Sequence, residues 1–142
     1  MMNVSHILTR SMVTITSDKT ILAAAGLMVK NNIGLLVVTD PRDGKLAGVI
    51  SERDIIRVIA SGRALTTSVN EVCSKGVVTV RANSEVGEAA KAMNKHGIRH
   101  VVVVDENANA VGVISMRDLV GERATLTAIL QSTEKEIFHG AD

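Results

Sequence analysis

Apolar residues along the chain switch between two periods, and they do so twice. Met12 to Ile15 is a short, β-branched run; from Thr20 to Asn31 the residues Ile21, Ala24, Ala25, Met28 and Val29 recur at helical spacing, with Asp18 and Thr20 as candidate caps. This predicts a strand followed by a helix. Leu35 to Thr39 and Leu46 to Ile50 flank Asp40-Pro41-Arg42-Asp43-Gly44, whose Pro and Gly favour a reversal, and predict a hairpin. Ser51 then caps a second helix, Glu52 to Ala60, in which Ile55, Ile56 and Ile59 mark the face expected to be buried. The pattern returns as Val77 to Val80, Glu85 to Lys95, His100 to Val104, Val111 to Ile114 and Met116 onward, after a linker around Ser61 to Thr67.

The recurrence is an internal repeat. At an offset of 65 residues Val4, Val13, Thr14, Ala24, Ala25, Met28, Lys30, Ile33, Val37, Val38 and Asp40 fall on identical residues, from Val69 to Asp105. After a one-residue shortening the offset is 64. There Gly48-Val49-Ile50-Ser51-Glu52-Arg53-Asp54 meets Gly112-Val113-Ile114-Ser115-Met116-Arg117-Asp118, differing only at Glu52 and Met116.

The order strand, helix, strand, strand, helix, ending in Gly-Val-Ile-Ser-x-Arg-Asp, resembles the cystathionine beta-synthase (CBS) domain. Two copies in tandem resemble a Bateman module, covering roughly residues 3 to 122. The resemblance implies an α/β fold of two pseudo-symmetric CBS domains packed as a CBS pair. The expected boundaries are 3–60 for the first domain, 61–68 for the linker, 69–122 for the second domain and 123–142 for a C-terminal helical tail.

Composition narrows the function. The 142 residues are 46% hydrophobic and 22% charged with a formal net charge of +1, a globular balance with room for one core or two small lobes. No Trp, no Tyr and one Phe, Phe138, leave no aromatic stacking platform, and the near-zero charge supplies no phosphate-binding field. Nucleic acid is therefore not expected as a partner. Val101 to Val104 is the longest apolar run, far below the roughly 20 residues of a membrane helix. The first residues, Met1 to His6, show no secretory pattern, and the cytoplasm is the expected compartment. One Cys, Cys73, cannot by itself build a zinc site, and no metal site is expected.

The motif residues carry the candidate chemistry. On a strand Val49 and Ser51 share one face, and Asp54 returns to the same side one helical turn later. A hydroxyl and a carboxylate then converge, and a carboxylate can accept from both hydroxyls of a ribose. Ser51 with Asp54, and Ser115 with Asp118, are thus candidate ribose clamps. The competing reading is that both serines are plain N-caps completed by the aspartates; the two readings can coexist.

By the resemblance, the clamp of one repeat faces the first strand and the start of the second strand of the other repeat. One site would join Val49, Ser51 and Asp54 with Val78, Thr79, Ile98, Arg99 and His100; the other would join Val113, Ser115 and Asp118 with Val13, Thr14, Ile33, Gly34 and Leu35. Adenine would sit among the apolar side chains, reading backbone groups of Val13-Thr14 or Val78-Thr79. Ordinary core packing is the alternative for those side chains. Arg99 and His100 are the phosphate candidates, against a reading as solvated residues opening a strand; Arg53 and Arg117 are weaker ones.

Cys73 matches Leu8 in the repeat and reads as a small buried hydrophobe; Met28 and Met93 read as core filler, and Met12 as core or pocket lining. Leu126, Ile129, Leu130, Ile137 and Phe138 make the tail amphipathic, for packing on the module or for docking a partner. Ile55, Ile56 and Ile59, with Leu119 and Val120, need cover, which predicts a homodimer. Three function classes follow. The first is a regulatory module sensing an adenine nucleotide (AMP, ADP or ATP) or another adenosyl ligand such as S-adenosylmethionine, and signalling to a regulated partner protein. The second is a dimerisation or interaction module without ligand. The third, an enzyme, is disfavoured because no nucleophile, base and orienting residue assemble, so no catalytic cofactor is expected.

Overall fold

The computed structural model describes residues 2–8, 12–121 and 129–131. The chain divides into two compact units, each holding one three-stranded sheet. The first unit comprises Ser11–Val77 with Asn107–Ala110; the second comprises the described parts of Met1–Arg10, Val78–Glu106 and Val111–Asp142. This is the α/β repeat that the sequence predicts.

In the first unit, β1 (Thr14–Thr16) leads to α1 (Ile21–Asn31), then β2 (Leu35–Thr39), β3 (Leu46–Ser51) and α2 (Glu52–Ala60). The sheet order is β1-β2-β3, with β1 parallel to β2 and β3 antiparallel to it. Thr14, Val37 and Val49 form one row across it. Thr20 Oγ1 caps α1 by accepting from the Ala23 N–H at 3.1 Å, and Asn32 ends the helix in the left-handed region. One face of the sheet, with Ile15, Leu36, Val38 and Ile50, packs against Ile21, Ala24, Met28, Ile55 and Val58.

The second unit repeats the plan as β4 (Thr79–Arg81), α4 (Val86–His96), β5 (His100–Val104), β6 (Ala110–Ser115) and α5 (Met116–Gly121). Its order is β4-β5-β6, again with the first pair parallel. Val80, Val101, Val103 and Ile114, on one face of the sheet, pack with Val86, Ala89, Met93 and Leu119 in a separate core.

Two short helices were not foreseen. Val4–Ile7 forms a 3₁₀ turn and Val69–Val72 forms α3, and each is built into the unit of the opposite repeat. Val4 N–H donates to Ser84 O at 2.8 Å and Ser5 N–H to Ala82 O at 3.0 Å. Val69 N–H donates to Lys19 O at 2.8 Å, and Ser74 pairs with Val49 along the open edge of β3. Val4 and Val69, equivalent in the repeat, are both fully buried.

The same exchange explains the motif glycines. A Cβ on Gly48 would lie 2.6 Å from Ser74 O and 3.1 Å from Cys73 Sγ, and one on Gly112 would lie 2.7 Å from Leu8 Cδ2. Leu8 and Cys73 thus occupy equivalent places, each over the first glycine of a motif.

The face of α2 differs from expectation. Ile55 and Val58 are buried, whereas Ile56 and Ile59 are each 62% exposed. Asp54 is tied back to Ser51, which turns the stripe through residues 54, 55 and 58 toward the sheet and leaves Ile56 and Ile59 outside it. Leu119 likewise needs no outside cover, being fully buried in its own unit, while Val120 is 54% exposed. Most of the tail lies outside the described residues; of its apolar positions, Ile129 packs against the second core.

Candidate functional site

In both units the strand-to-helix turn after the motif is a closed capping box or its near equivalent. Ser51 N–H donates to Asp54 Oδ2 at 2.8 Å, and Asp54 N–H donates back to Ser51 Oγ at 3.3 Å. Ser115 N–H donates to Asp118 Oδ2 at 2.8 Å and Asp118 N–H to Ser115 Oγ at 3.1 Å. The capping reading of these residues is therefore met. It leaves the clamp reading open, because each carboxylate has further lone pairs beyond the one spent on the serine N–H.

The turn is pinned a second time. Glu52 N–H donates to Gly34 O at 2.9 Å, and Met116 N–H to Arg99 O at 2.8 Å. Within one unit, then, Arg99 is anchored to the start of the helix that bears Asp118, and Gly34 to the start of the helix that bears Asp54. In the first unit the Glu52 carboxylate lies against Gly34, whose Cβ would meet Glu52 Cδ at 3.1 Å. The second unit has Met116 and Arg99 at those two places, so an acid next to a glycine is matched by a thioether next to a cation.

The apolar candidates divide by face. Val13 and Ile33 pack against the first core and Val78 and Ile98 against the second, each only partly buried. Val49 and Val113 are half-buried and, by strand alternation with the buried Ile50 and Ile114, point to the opposite sheet face. Thr14 and Thr79 are exposed, on the edge strands β1 and β4.

Backbone geometry at those edges is informative. Val37 N–H donates to Val13 O at 3.3 Å and Val102 N–H to Val78 O at 3.1 Å. Alternate residues of a parallel strand address opposite sides, so Thr14 and Thr79 turn their own N–H and C=O to the open edge. Each is a donor and acceptor pair, the pattern that a purine edge complements. Arg99 is exposed and His100 half-buried at the start of β5.

One charged neighbour was missed in the sequence. Arg57 Nη1 lies 3.5 Å from Asp54 Oδ1, an i, i+3 pair on α2. The three-residue spacing was the available signal. Cys73 is buried and unbonded to another sulfur; burial pushes its thiol pKa up, away from the reactive thiolate. Among the described residues no group of metal-ligating side chains forms a cation site, and no helix is long and apolar enough to cross a membrane.

Fold and site together define a duplicated α/β module in which each copy ends its last strand in a capped Ser/Asp turn. The CBS domain family model matches residues 4–61 and again 69–124, and the chain belongs to that family as a tandem pair. It is similar to the CBS domain-containing protein YhcV of Bacillus subtilis (strain 168), 36% identical over 120 residues covering 84% of each chain. Among solved structures, the CBS domain protein PAE2072 from Pyrobaculum aerophilum complexed with AMP superposes with a TM-score of 0.88 at 37% identity, covering 92% of this chain and 99% of that one. The CBS domain pair of protein MJ0100, in complex with 5′-methylthioadenosine and S-adenosyl-L-methionine, gives 0.78 at 30% identity over 84% of this chain and 94% of that one.

Proposed function

We propose that this CBS pair is a regulatory sensor of an adenosyl ligand, an adenine nucleotide such as AMP, ADP or ATP, acting in the cytoplasm on a separate partner protein rather than as an enzyme. One observation carries the reading: at the same point of both units a carboxylate is held rigid by its own serine cap, with acceptor capacity left over for a sugar diol. Asp54 and Asp118 are the ribose acceptors, assisted by Ser51 and Ser115. The open backbone edges at Thr14 and Thr79 read adenine, flanked by Val49 and Val113. Arg99 and His100 hold phosphate, with Arg53 and Arg117 as the secondary cations. The AMP bound in the relative from Pyrobaculum aerophilum supports the ligand class.

Thermal melts and calorimetry with AMP, ADP, ATP, adenosine and S-adenosylmethionine test this. Ligand at about 100 times its Kd stabilises the fold by about 2.7 kcal/mol, a readily measured rise in Tm. Asp54→Ala and Asp118→Ala each weaken binding at their own clamp by about an order of magnitude, the weight of a hydrogen bond to a charged group. Arg99→Ala weakens AMP far more than adenosine. Double-mutant cycles of Arg99→Ala with each aspartate substitution identify the carboxylate that shares a ligand with Arg99. Equal losses for AMP and adenosine in Arg99→Ala would remove the phosphate role.

A second reading is an interaction module without ligand, favoured by the exposed Ile56, Ile59 and Val120. The same side chains are the proposed homodimer surface in either reading. A ligand panel that leaves Tm unmoved, with a dimer by light scattering, would select the second reading.

A further inference from the structure

Resting on the adenosyl-sensor reading, we infer that Arg57 is a built-in competitor for the Asp54 carboxylate, so that a ribose engages Asp118 more readily than Asp54. The two carboxylates are equivalent in the repeat but differ in what already occupies them. Asp54 Oδ2 accepts from Ser51 N–H at 2.8 Å and from the Ser51 hydroxyl at 3.0 Å, while Asp54 Oδ1 faces Arg57 Nη1 at 3.5 Å. Asp118 Oδ2 accepts from Ser115 N–H at 2.8 Å, and among the described residues no other donor reaches its carboxylate.

Burial sharpens the contrast. The Asp54 side chain is 12% exposed, with the Arg57 side chain, 70% exposed, on its solvent side. Asp118 is half-buried, and the residue equivalent to Arg57 is Gly121, which has no side chain to offer. A ribose diol brings two donors to a carboxylate. At Asp118 it finds one oxygen that no donor among the described residues engages; at Asp54 it must displace a guanidinium that also neutralises the acceptor. Arg57 supports no core, so its removal takes away this competition and little else.

The experiment is calorimetry on the full chain with adenosine, whose lack of phosphate removes any direct attraction to a guanidinium. In an Asp118→Asn background, which keeps an acceptor oxygen for Ser115 N–H, the Asp54 clamp is read alone. There Arg57→Ala tightens adenosine by up to about fivefold, the ceiling for a largely exposed ion pair, and Arg57→Lys, which keeps a cation beside Asp54, tightens it less. In an Asp54→Asn background Arg57→Ala leaves adenosine affinity unchanged. An unchanged or weakened affinity in the first background, or the same gain in both, would overturn the inference while leaving the sensor reading in place. Absence of adenosyl binding by the unsubstituted chain would remove the sensor reading and the inference with it.

Discussion

The first sheet's hairpin has Gly44 at φ +72°, and at the equivalent place the second has Ala108 at φ +64°. α1 ends at Asn32 with φ 52°, and α4 at Gly97 with φ 63°. Cys73 lies over Gly48 where Leu8 lies over Gly112. Side by side, the units keep left-handed backbone at the hairpin and at the end of the first helix while letting the residue type drift. Left-handed geometry is demanded by the topology, and glycine, asparagine or, at a cost, alanine supplies it. Among the residues that did not drift, several have side chains with the same task in both copies: Val4 and Val69 in the exchanged turns, Ser51 and Ser115 with Asp54 and Asp118 in the caps.

The largest expected effect tests how rigid the cover over each motif glycine is. Gly48→Ala places a methyl against the backbone oxygen of Ser74, which is itself paired in the edge bridge, and destabilises by about 3 kcal/mol in urea unfolding. Gly112→Ala meets only the end of a leucine that can rotate away, and costs about 1 kcal/mol. Equal costs would show that the two covers are equally stiff.

The exchange of short helices is tested next. Val4→Ala removes a fully buried side chain from the second core and costs about 2 kcal/mol. Hydrogen exchange is expected to rise first in the amides of β4, β5 and β6, distant in sequence, and not in β1 to β3. Val69→Ala produces the reverse. Exchange rising in the substituted residue's own repeat would contradict the crossed packing.

A smaller effect reads the hairpin turns. Gly44→Ala destabilises by about 1 kcal/mol because a Cβ enters the left-handed region, whereas Ala108→Gly relieves that strain and stabilises by up to about 1 kcal/mol, less the glycine's greater freedom when unfolded. Loss of stability in both variants would mean that Ala108 earns its place through contacts.

The smallest effect distinguishes the caps. Ser51→Ala loses a hydroxyl that both accepts from Asp54 N–H and donates to Asp54 Oδ2; Ser115→Ala loses the acceptor at Asp118 N–H. Both cost about 1 kcal/mol, with Ser51→Ala the larger by about 0.5 kcal/mol. A reversed order in paired denaturation curves would show that the Ser51 hydroxyl gains nothing from its second bond.

Much of this molecule is legible along the chain. The duplicated heptapeptide, the β-branched runs and the capped helical spacings placed β2, α2 and β5 at their observed limits and the remaining main elements within two residues, because they are local signals of period and capping. The serine caps and their aspartates were readable for the same reason: three residues separate them, and a helix start brings that spacing together. What escaped is whatever depends on residues far apart in sequence. Val4 with Val69, and Leu8 with Cys73, were visible as repeat partners, yet nothing local says that each packs in the opposite unit. Their turns are one helical turn long and gain their stability from burial rather than propensity. The outward turn of Ile56 and Ile59 follows from Asp54 being tied to Ser51, a rotation that apolar spacing alone does not set. The pattern thus determined the repeat, the elements and the positions of the two carboxylates. Tertiary structure decided which core each exchanged turn completes, and that Asp54 carries Arg57 at its side while among the described residues Asp118 has no such pair, because such choices are made by packing and electrostatics between side chains rather than by the order of the chain.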